Sequence, residues 1–381
     1  MDFSFFHECK ELHKRVLSFA STLSKDILQR DGESLFSREE WVKCAQFGIL
    51  SLPFPEEYGG TQSSLEELCI AIEAMGEGCA DRGLVFSLCA HLFACCIPIW
   101  KFGDKSQKEK WLPKMIDGTW IAANVATEPE SGSDIFSLKT TAQKTQGGYI
   151  INGSKIFATN SPVSDLFLCY AKTSPKMGYL GTTAFIIPST LEGITLGKNF
   201  HKIGLRTSPL GTVYFENCFV PEECRLGKEG NGGRIFEVSM AWERTFLFAF
   251  YVGLLKHQLD FCCDYAKSRK QGKSTIASYQ SISHKIVEMK LRLEIARLLL
   301  YKAVFSMDRQ DSSYILDSCL AKLYISQAAI QSGLDAIQIH GGTGTISESN
   351  IERMLRDAIP STIFSGTNEI IKEKIARELL G

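Results

Sequence analysis

The chain has no excess of charge of either sign. Forty-two Lys and Arg residues stand against 43 Asp and Glu in 381 residues. No long run of like charge forms a basic arm, so there is no field with which to hold nucleic acid. Ligand spacing among the cysteines is also missing. Thirteen are present, yet no C-x-x-C occurs, and the adjacent pairs Cys95-Cys96 and Cys262-Cys263 are spaced wrongly for a metal. No secretory leader precedes them, so they are expected as reduced core thiols of a cytoplasmic protein, with no metal. The stretch "HECKELH", His7 to His13, lacks the H-E-x-x-H spacing, which excludes a zinc protease and leaves a solvated helix. One uncharged span, Gly83 to Trp100, reaches the lower limit of about 17 residues for a membrane helix. It contains Ser87, His91 and Pro98, no second span accompanies it, and the apolar run Thr245 to Leu255 is too short to cross. A buried helix or helix pair and no membrane span are therefore expected. Internal repeats and low-complexity tracts are absent as well.

What is there is a composition with 44% hydrophobic residues, enough for a large core in two or three domains. Residues 1–118 read as a helical bundle, with Leu12, Val16, Phe19 and Leu23 on one helical stripe and a turn-rich break at "PFPEEYGG", Pro53 to Gly60. Residues 119–230 change period. "YIINGSKIF", Tyr149 to Phe157, sets Asn-Gly between two β-prone runs, a hairpin signal, and "LFLCYAKT", "TAFIIP" and "TVYFENCFVP" follow as strands. Residues 231–381 return to helices, with Ile286, Met289, Leu293, Ala296 and Leu300 on one face. The predicted class is α+β: an N-terminal helical bundle, a middle antiparallel β-domain resembling a barrel, and a C-terminal helical bundle.

Single polar motifs are weak signals. "ATEPESGSD", Ala126 to Asp134, is a Gly/Ser/Pro-rich loop able to hold a polar cofactor edge or to be a plain turn. "QIHGGTGT", Gln338 to Thr345, is not G-x-G-x-x-G and follows a helical pattern, which argues against a dinucleotide-binding Rossmann turn. Their joint order is specific. "KWLPKMIDGTW", "TEPESGSD", "INGSKIFATN", "GLRTSPLGTVYFENCFVP", "RKQGK", "QIHGG" and "RDAIPSTIFSGTNEI" occur in an order and spacing that resembles the acyl-CoA dehydrogenase superfamily, over nearly the whole chain.

The resemblance implies non-covalent FAD between the β-domain and the C-terminal bundle, and a homotetramer or homodimer. Thr127 and Ser133 match residues lining the flavin and the substrate carbonyl, and Phe157 and Thr159 match the segment that stacks on the flavin. Arg269, Gln280, Gln338, Gly341 and Gly342 match groups that reach the FAD of a neighbouring subunit, while Thr367 and Asn368 match contacts to its dinucleotide portion. Trp242, Arg244 and Gly366 join Ser133 around the substrate.

The reaction implied is α,β-dehydrogenation of an acyl thioester, with the α-proton taken by a base and the β-hydrogen leaving as hydride. Many members keep that base in a Tyr-Glu-Gly-Thr segment. Here the matching stretch is "IFSGTNEI" and Ser365 stands in its place, unable to act as a base near neutral pH by itself. Isovaleryl- and long-chain-type members carry the base on a C-terminal-domain helix just before an Arg, and Glu243 in "AWERT" matches it. An apolar wall at Trp242 and Phe246 would raise its pKa, and Arg244, about 100° away around a regular helix, is not expected to neutralise it. Ser365 is left a role through its backbone N–H, which matches a donor to the thioester carbonyl. Glu130, "RKQGK" and Ser365 depart from the common pattern in the direction of members acting on carrier-protein-bound acyl or aminoacyl groups, so CoA and an acyl or peptidyl carrier protein both fit as carrier. The acceptor is an electron-transfer flavoprotein or oxygen. A flavin-dependent oxidase or monooxygenase of the same fold is the alternative, disfavoured by the retained base.

Overall fold

A computed structural model describes residues 9–381, so His7 and the start of the first block lie outside the described residues. The first block folds as α1 (Lys10–Ala20), α2 (Ile27–Glu33), α3 (Arg38–Phe47), α4 (Leu65–Gly78), α5 (Arg82–Phe102) and α6 (Lys105–Ile116). Polar caps decide where helices start. Ser64 Oγ accepts the Glu67 N–H at 3.1 Å while Glu67 Oε2 accepts the Ser64 N–H at 2.9 Å, satisfying two orphan donors at the head of α4.

The middle strands are β1 (Ala122–Val125), β2 (Thr141–Thr145), β3 (Gly148–Thr159), β4 (Leu166–Lys172), β5 (Thr182–Pro188), β6 (Ile194–Leu196), β7 (Leu210–Pro221) and β8 (Arg225–Leu226). They form one sheet in the order β6-β7-β3-β2-β4-β5-β8, with β1 beside β4. The sheet is antiparallel except where β1 and one residue of β2 run parallel to β4. The hairpin expected at Asn152-Gly153 is corrected. That pair lies inside the long strand β3, at a register shift against β7, and the actual turn is Gln146-Gly147, between Thr145 and Gly148. The reason is packing: a Cβ at position 153 would stand 2.7 Å from Thr140 Cα, so glycine here serves close approach of two chains and not a turn. Strand β4 is buried along its whole length. Its period of two sends Leu166, Leu168 and Tyr170 into the helical core and Phe167, Cys169 and Ala171 into a second core within the sheet.

The last block is α7 (Gly232–Ser268), a small hairpin β9 (Lys270–Gln271) and β10 (Ser274–Thr275), α8 (Gln280–Asp308), α9 (Tyr314–His340), α10 (Ile351–Ala358) and α11 (Asn368–Leu380). Met289, Leu293, Ala296 and Leu300 of α8 are buried, as the period predicts. A second correction concerns length. Both α5 and α7 are long and apolar enough to cross a membrane, α7 running 37 residues where the sequence pattern suggests a short apolar run. Their most apolar windows are 94% buried inside the protein, which is how core helices pass the same test. Each is interrupted by one π-helical turn, Leu92–Cys96 in α5 and Glu243–Leu247 in α7. Phe93 and Phe246 bring the two turns together at 5.5 Å between ring centroids.

Candidate active site

Glu243 opens the π turn of α7. Such a turn inserts a residue into an α-helix, re-aims side chains around it and is enriched at functional sites. The carboxylate is buried, with 8% of the residue exposed. Its partner is the residue that replaces the common base: Ser365 Oγ donates to Glu243 Oε1. Arg244 turns to the same residue, its Nε donating to the Ser365 carbonyl oxygen at 2.9 Å. Adjacent residues of one helix thus grip one residue of a turn before α11. That turn is left-handed, with φ of 56° at Ser365 and 97° at Gly366. Position 366 therefore requires glycine, and Thr367 closes it by accepting the Ile370 N–H at 3.3 Å as the cap of α11.

Burial raises the Glu243 carboxyl above the ordinary carboxylate range, and the Ser365 hydrogen bond and the Arg244 charge pull it part of the way back. The wall is apolar. Trp242 and Phe246 lie 5.1 Å apart, Trp100 meets Trp242 at 6.5 Å, and Phe93 backs Phe246. Cys89 and Cys95 of α5 face the carboxylate; burial pushes both thiols well up and Glu243 adds to it. Tyr170 of β4 completes the surround, its hydroxyl raised by burial first and by Cys95, Cys169 and Glu243 after that. A carboxylate that is dry, singly hydrogen-bonded and raised in pKa can take a proton from carbon.

The residues expected at the flavin fall into three places. Thr127 sits half-buried in a loop whose carbonyl accepts the Ile156 N–H at 2.9 Å, tying it to the end of β3. The ion pair of Lys155 and Glu128 at 2.7 Å, wholly buried, anchors that loop, and Lys155 also donates to the Ala126 carbonyl oxygen at 3.0 Å. Ser133 is exposed nearby and Thr159 half-buried on β3. Phe157 stands on a bulge of β3 with φ of 55°, its residue 59% exposed and its ring 5.7 Å from Phe200. A large aromatic held outward in a disfavoured conformation forms a flat shelf for a planar ring. The second place is the far end of the bundle, where Tyr265 of α7 stacks on His340 of α9 at 4.2 Å. Arg269, Gln280, Gln338, Gly341 and Gly342 are all exposed, and a Cβ at either glycine would meet nothing within 4 Å, leaving room for a ligand or a second chain. The third place is the start of α11. There Asn368 is turned inward: its Oδ1 accepts Lys322 Nζ at 2.7 Å and Ser326 Oγ at 3.2 Å, so its amide is engaged inside the protein.

The fold brings Trp242, Glu243, Arg244, Ser365 and Gly366 together; the exposed group around Arg269 belongs to the other end of α7. Glu130, whose charge departs from the common pattern, faces solvent and pairs with Lys139, away from Glu243. Sequence reasoning missed Cys89, Cys95, Tyr170, Lys155 and Lys322. Lys155 carried one signal, a lone cation in a β-run, and the others none, because α5, β4 and α9 meet Glu243 and its turn only through packing.

Comparison with known proteins agrees along the whole chain. Residues 7–119, 123–218 and 230–380 match the N-terminal, middle and C-terminal domains of acyl-CoA dehydrogenase. An L-prolyl-[peptidyl-carrier protein] dehydrogenase from Serratia sp. is 44% identical over 381 residues, 100% of this chain and 98% of that one. The structure of PigA with FAD and proline superposes with a TM-score of 0.96 at 43% identity, covering 100% of this chain and 99% of that one. The prolyl acyl carrier protein oxidase AnaB superposes with a TM-score of 0.96 at 42% identity, covering 98% and 99%. With helices, sheet and helices in this order and all three domain models matched in turn, the chain belongs to the acyl-CoA dehydrogenase family.

Proposed function

We propose that this protein is an FAD-dependent dehydrogenase of an acyl thioester presented on a carrier protein, with a prolyl group as the first candidate substrate. The observation that carries the reading is the buried Glu243 carboxylate clamped by Ser365 within an apolar wall. The choice of carrier is supported by the relatives at 44% and 42% identity that act on prolyl groups held by carrier proteins. Three domains, residues 1–118, 119–230 and 231–381, make up the chain, with Glu243 of the third beside Tyr170 of the second.

FAD, when bound, supplies the acceptor for the β-hydrogen. The residues present fit it: the Phe157 shelf offers a stacking face, Thr127, Ser133 and Thr159 offer hydroxyls beside that shelf, and Thr367 lies at the helix start where the N–H groups of α11 favour a negative ligand. Arg269, Gln280, Gln338, Gly341 and Gly342 serve the FAD of a second copy in a homotetramer or homodimer. Glu243 removes the α-proton and holds it on a carboxyl that burial favours in the neutral form. The Ser365 N–H donates to the thioester oxygen as negative charge builds there. Trp242, Phe246 and Phe93 exclude water, which strengthens both effects.

The deciding experiment is anaerobic bleaching of bound flavin by one prolyl group presented on a carrier protein and on CoA, with short straight-chain acyl groups alongside. Bleaching by the carrier-bound prolyl group is expected; bleaching only by CoA thioesters would move the protein to ordinary acyl-CoA metabolism. A second reading concerns the acceptor. The 42% identical AnaB is a prolyl oxidase, so re-oxidation of the reduced enzyme by air and by an electron-transfer flavoprotein belongs in the same measurement. Twelve of the thirteen cysteines are buried, which suits a reducing cytoplasm.

A further inference from the structure

Lys322 lies in the middle of α9 with no exposed surface. A buried ammonium needs a reason, because desolvation alone is costly. It forms no ion pair among the described residues. Instead Nζ donates to Asn368 Oδ1 at 2.7 Å, and Ser326, one turn further along α9, both donates to that oxygen at 3.2 Å and accepts from Asn368 Nδ2 at 3.1 Å. Asn368 is the first residue of α11, three after Ser365. Ser365 and Gly366 hold positive φ, a conformation that a tetrahedral side chain opposes and that persists only when neighbours enforce it. One neighbour is Arg244, on the carbonyl of Ser365. The other is the α9 anchor.

We infer that Lys322 is a positioning residue for the reaction: through Asn368 it fixes the left-handed turn Ser365-Gly366, and so places the Ser365 hydroxyl on the Glu243 carboxylate and the Ser365 N–H toward substrate. Lys322 touches neither the carboxylate nor the substrate. The ammonium loses protons more readily than an ordinary lysine, because burial and then Arg244 oppose its charge, down to about 7. Other charged and titratable groups around the clamp are Arg244 and Glu237 on α7, Glu369 and Lys374 on α11, Cys319 on α9, Cys89 and Cys95 on α5 and Tyr170 on β4. A loosened turn weakens the Ser365 hydrogen bond, which favours the ionised carboxylate. Glu243 then stays protonated to higher pH.

The inference rests on Glu243 as base and is tested in the FAD-loaded enzyme with Lys322→Met and Asn368→Ala. The readouts are FAD content and the pH dependence of anaerobic flavin reduction at saturating substrate. Lys322→Met is expected to keep FAD, and both variants, read per bound flavin because Asn368 also matches a contact to the dinucleotide, are expected to lose about tenfold to a hundredfold in reduction rate at neutral pH and to move the rising limb of the profile to higher pH. Added to Ser365→Ala, Lys322→Met is expected to move the pH limb no further, since that shift passes through the Ser365 hydroxyl, while the rate still falls through the displaced backbone N–H. An unmoved limb and rate in both variants would overturn the inference, as would a limb shift that adds to the shift of Ser365→Ala. If Lys322→Met yields no folded protein, Asn368→Ala decides by the same criteria. Full reduction by Glu243→Gln would instead overturn the assignment of the base, a separate result.

Discussion

Burial raises the Glu243 carboxyl above the ordinary carboxylate range, and this sets the sign of two measurements. The base must be deprotonated to act, so the rate of flavin reduction should rise with pH through the raised Glu243 titration. Glu243→Gln should retain FAD and lose about 100- to 10,000-fold in reduction rate, the span of general-base contributions; stopped-flow bleaching reads both. Stability should move the other way. A carboxyl whose folded pKa lies above its unfolded value contributes stability that is complete below the unfolded pKa and lost as pH rises through the folded one. Glu243→Gln removes that loss, so it should be more stable than the parent at pH 8 by about 1 kcal/mol, a usual gain when a functional strain is relieved. The gap should close toward acid pH in paired thermal melts. Lys322 is common to both chains and cancels in the difference.

At the scale of elements, two glycines carry consequences that their neighbours do not. Gly153→Val should destabilise by about 1–3 kcal/mol through overpacking, because its side chain would enter the backbone of Thr140, just before β2. The loss should appear in denaturant melts. Gly366→Ala forces a side chain into φ of 97° at a cost of about 1–2 kcal/mol, and it does so beside the clamp. Its flavin reduction should therefore fall more than its melting temperature suggests. The π turn at Glu243–Leu247 adds a residue to the helix and lets Glu243 and Arg244 both reach Ser365, the arginine on its carbonyl and not on the acid, as expected.

At the scale of the whole molecule, α8 presents a second apolar face. Val287, Leu291 and Leu298 are 62%, 51% and 50% exposed on the side opposite the buried stripe. If the proposed homodimer or homotetramer uses this face, replacing Leu291 and Leu298 together by Glu should lower the mass read by light scattering. It should also weaken FAD retention if Arg269, Gln280 and Gln338 serve a neighbouring copy. An unchanged mass would remove this face from the assembly.

The order of helices, strands and helices was legible because hydrophobic period is local: Met289, Leu293, Ala296 and Leu300 needed only their own spacing to declare a buried face. Glu243 was legible too, since an acid at the mouth of an apolar run must have a partner or a task. The Asn152-Gly153 hairpin was misread because the same dipeptide serves a turn or a close crossing, and only the neighbouring strand distinguishes them. By itself, the sequence determined the order of helices and strands, which follows from side-chain type and periodicity, and it pointed to the family and to Glu243 through the joint order of motifs that resemble the acyl-CoA dehydrogenases. Tertiary structure alone decided the rest: that Ser365 binds the acid whose usual position it occupies, that Arg244 holds a carbonyl and not that acid, and that Lys322 anchors the turn from a distant helix. Those contacts join residues 46 to 122 positions apart, and no local pattern encodes the packing that closes such distances.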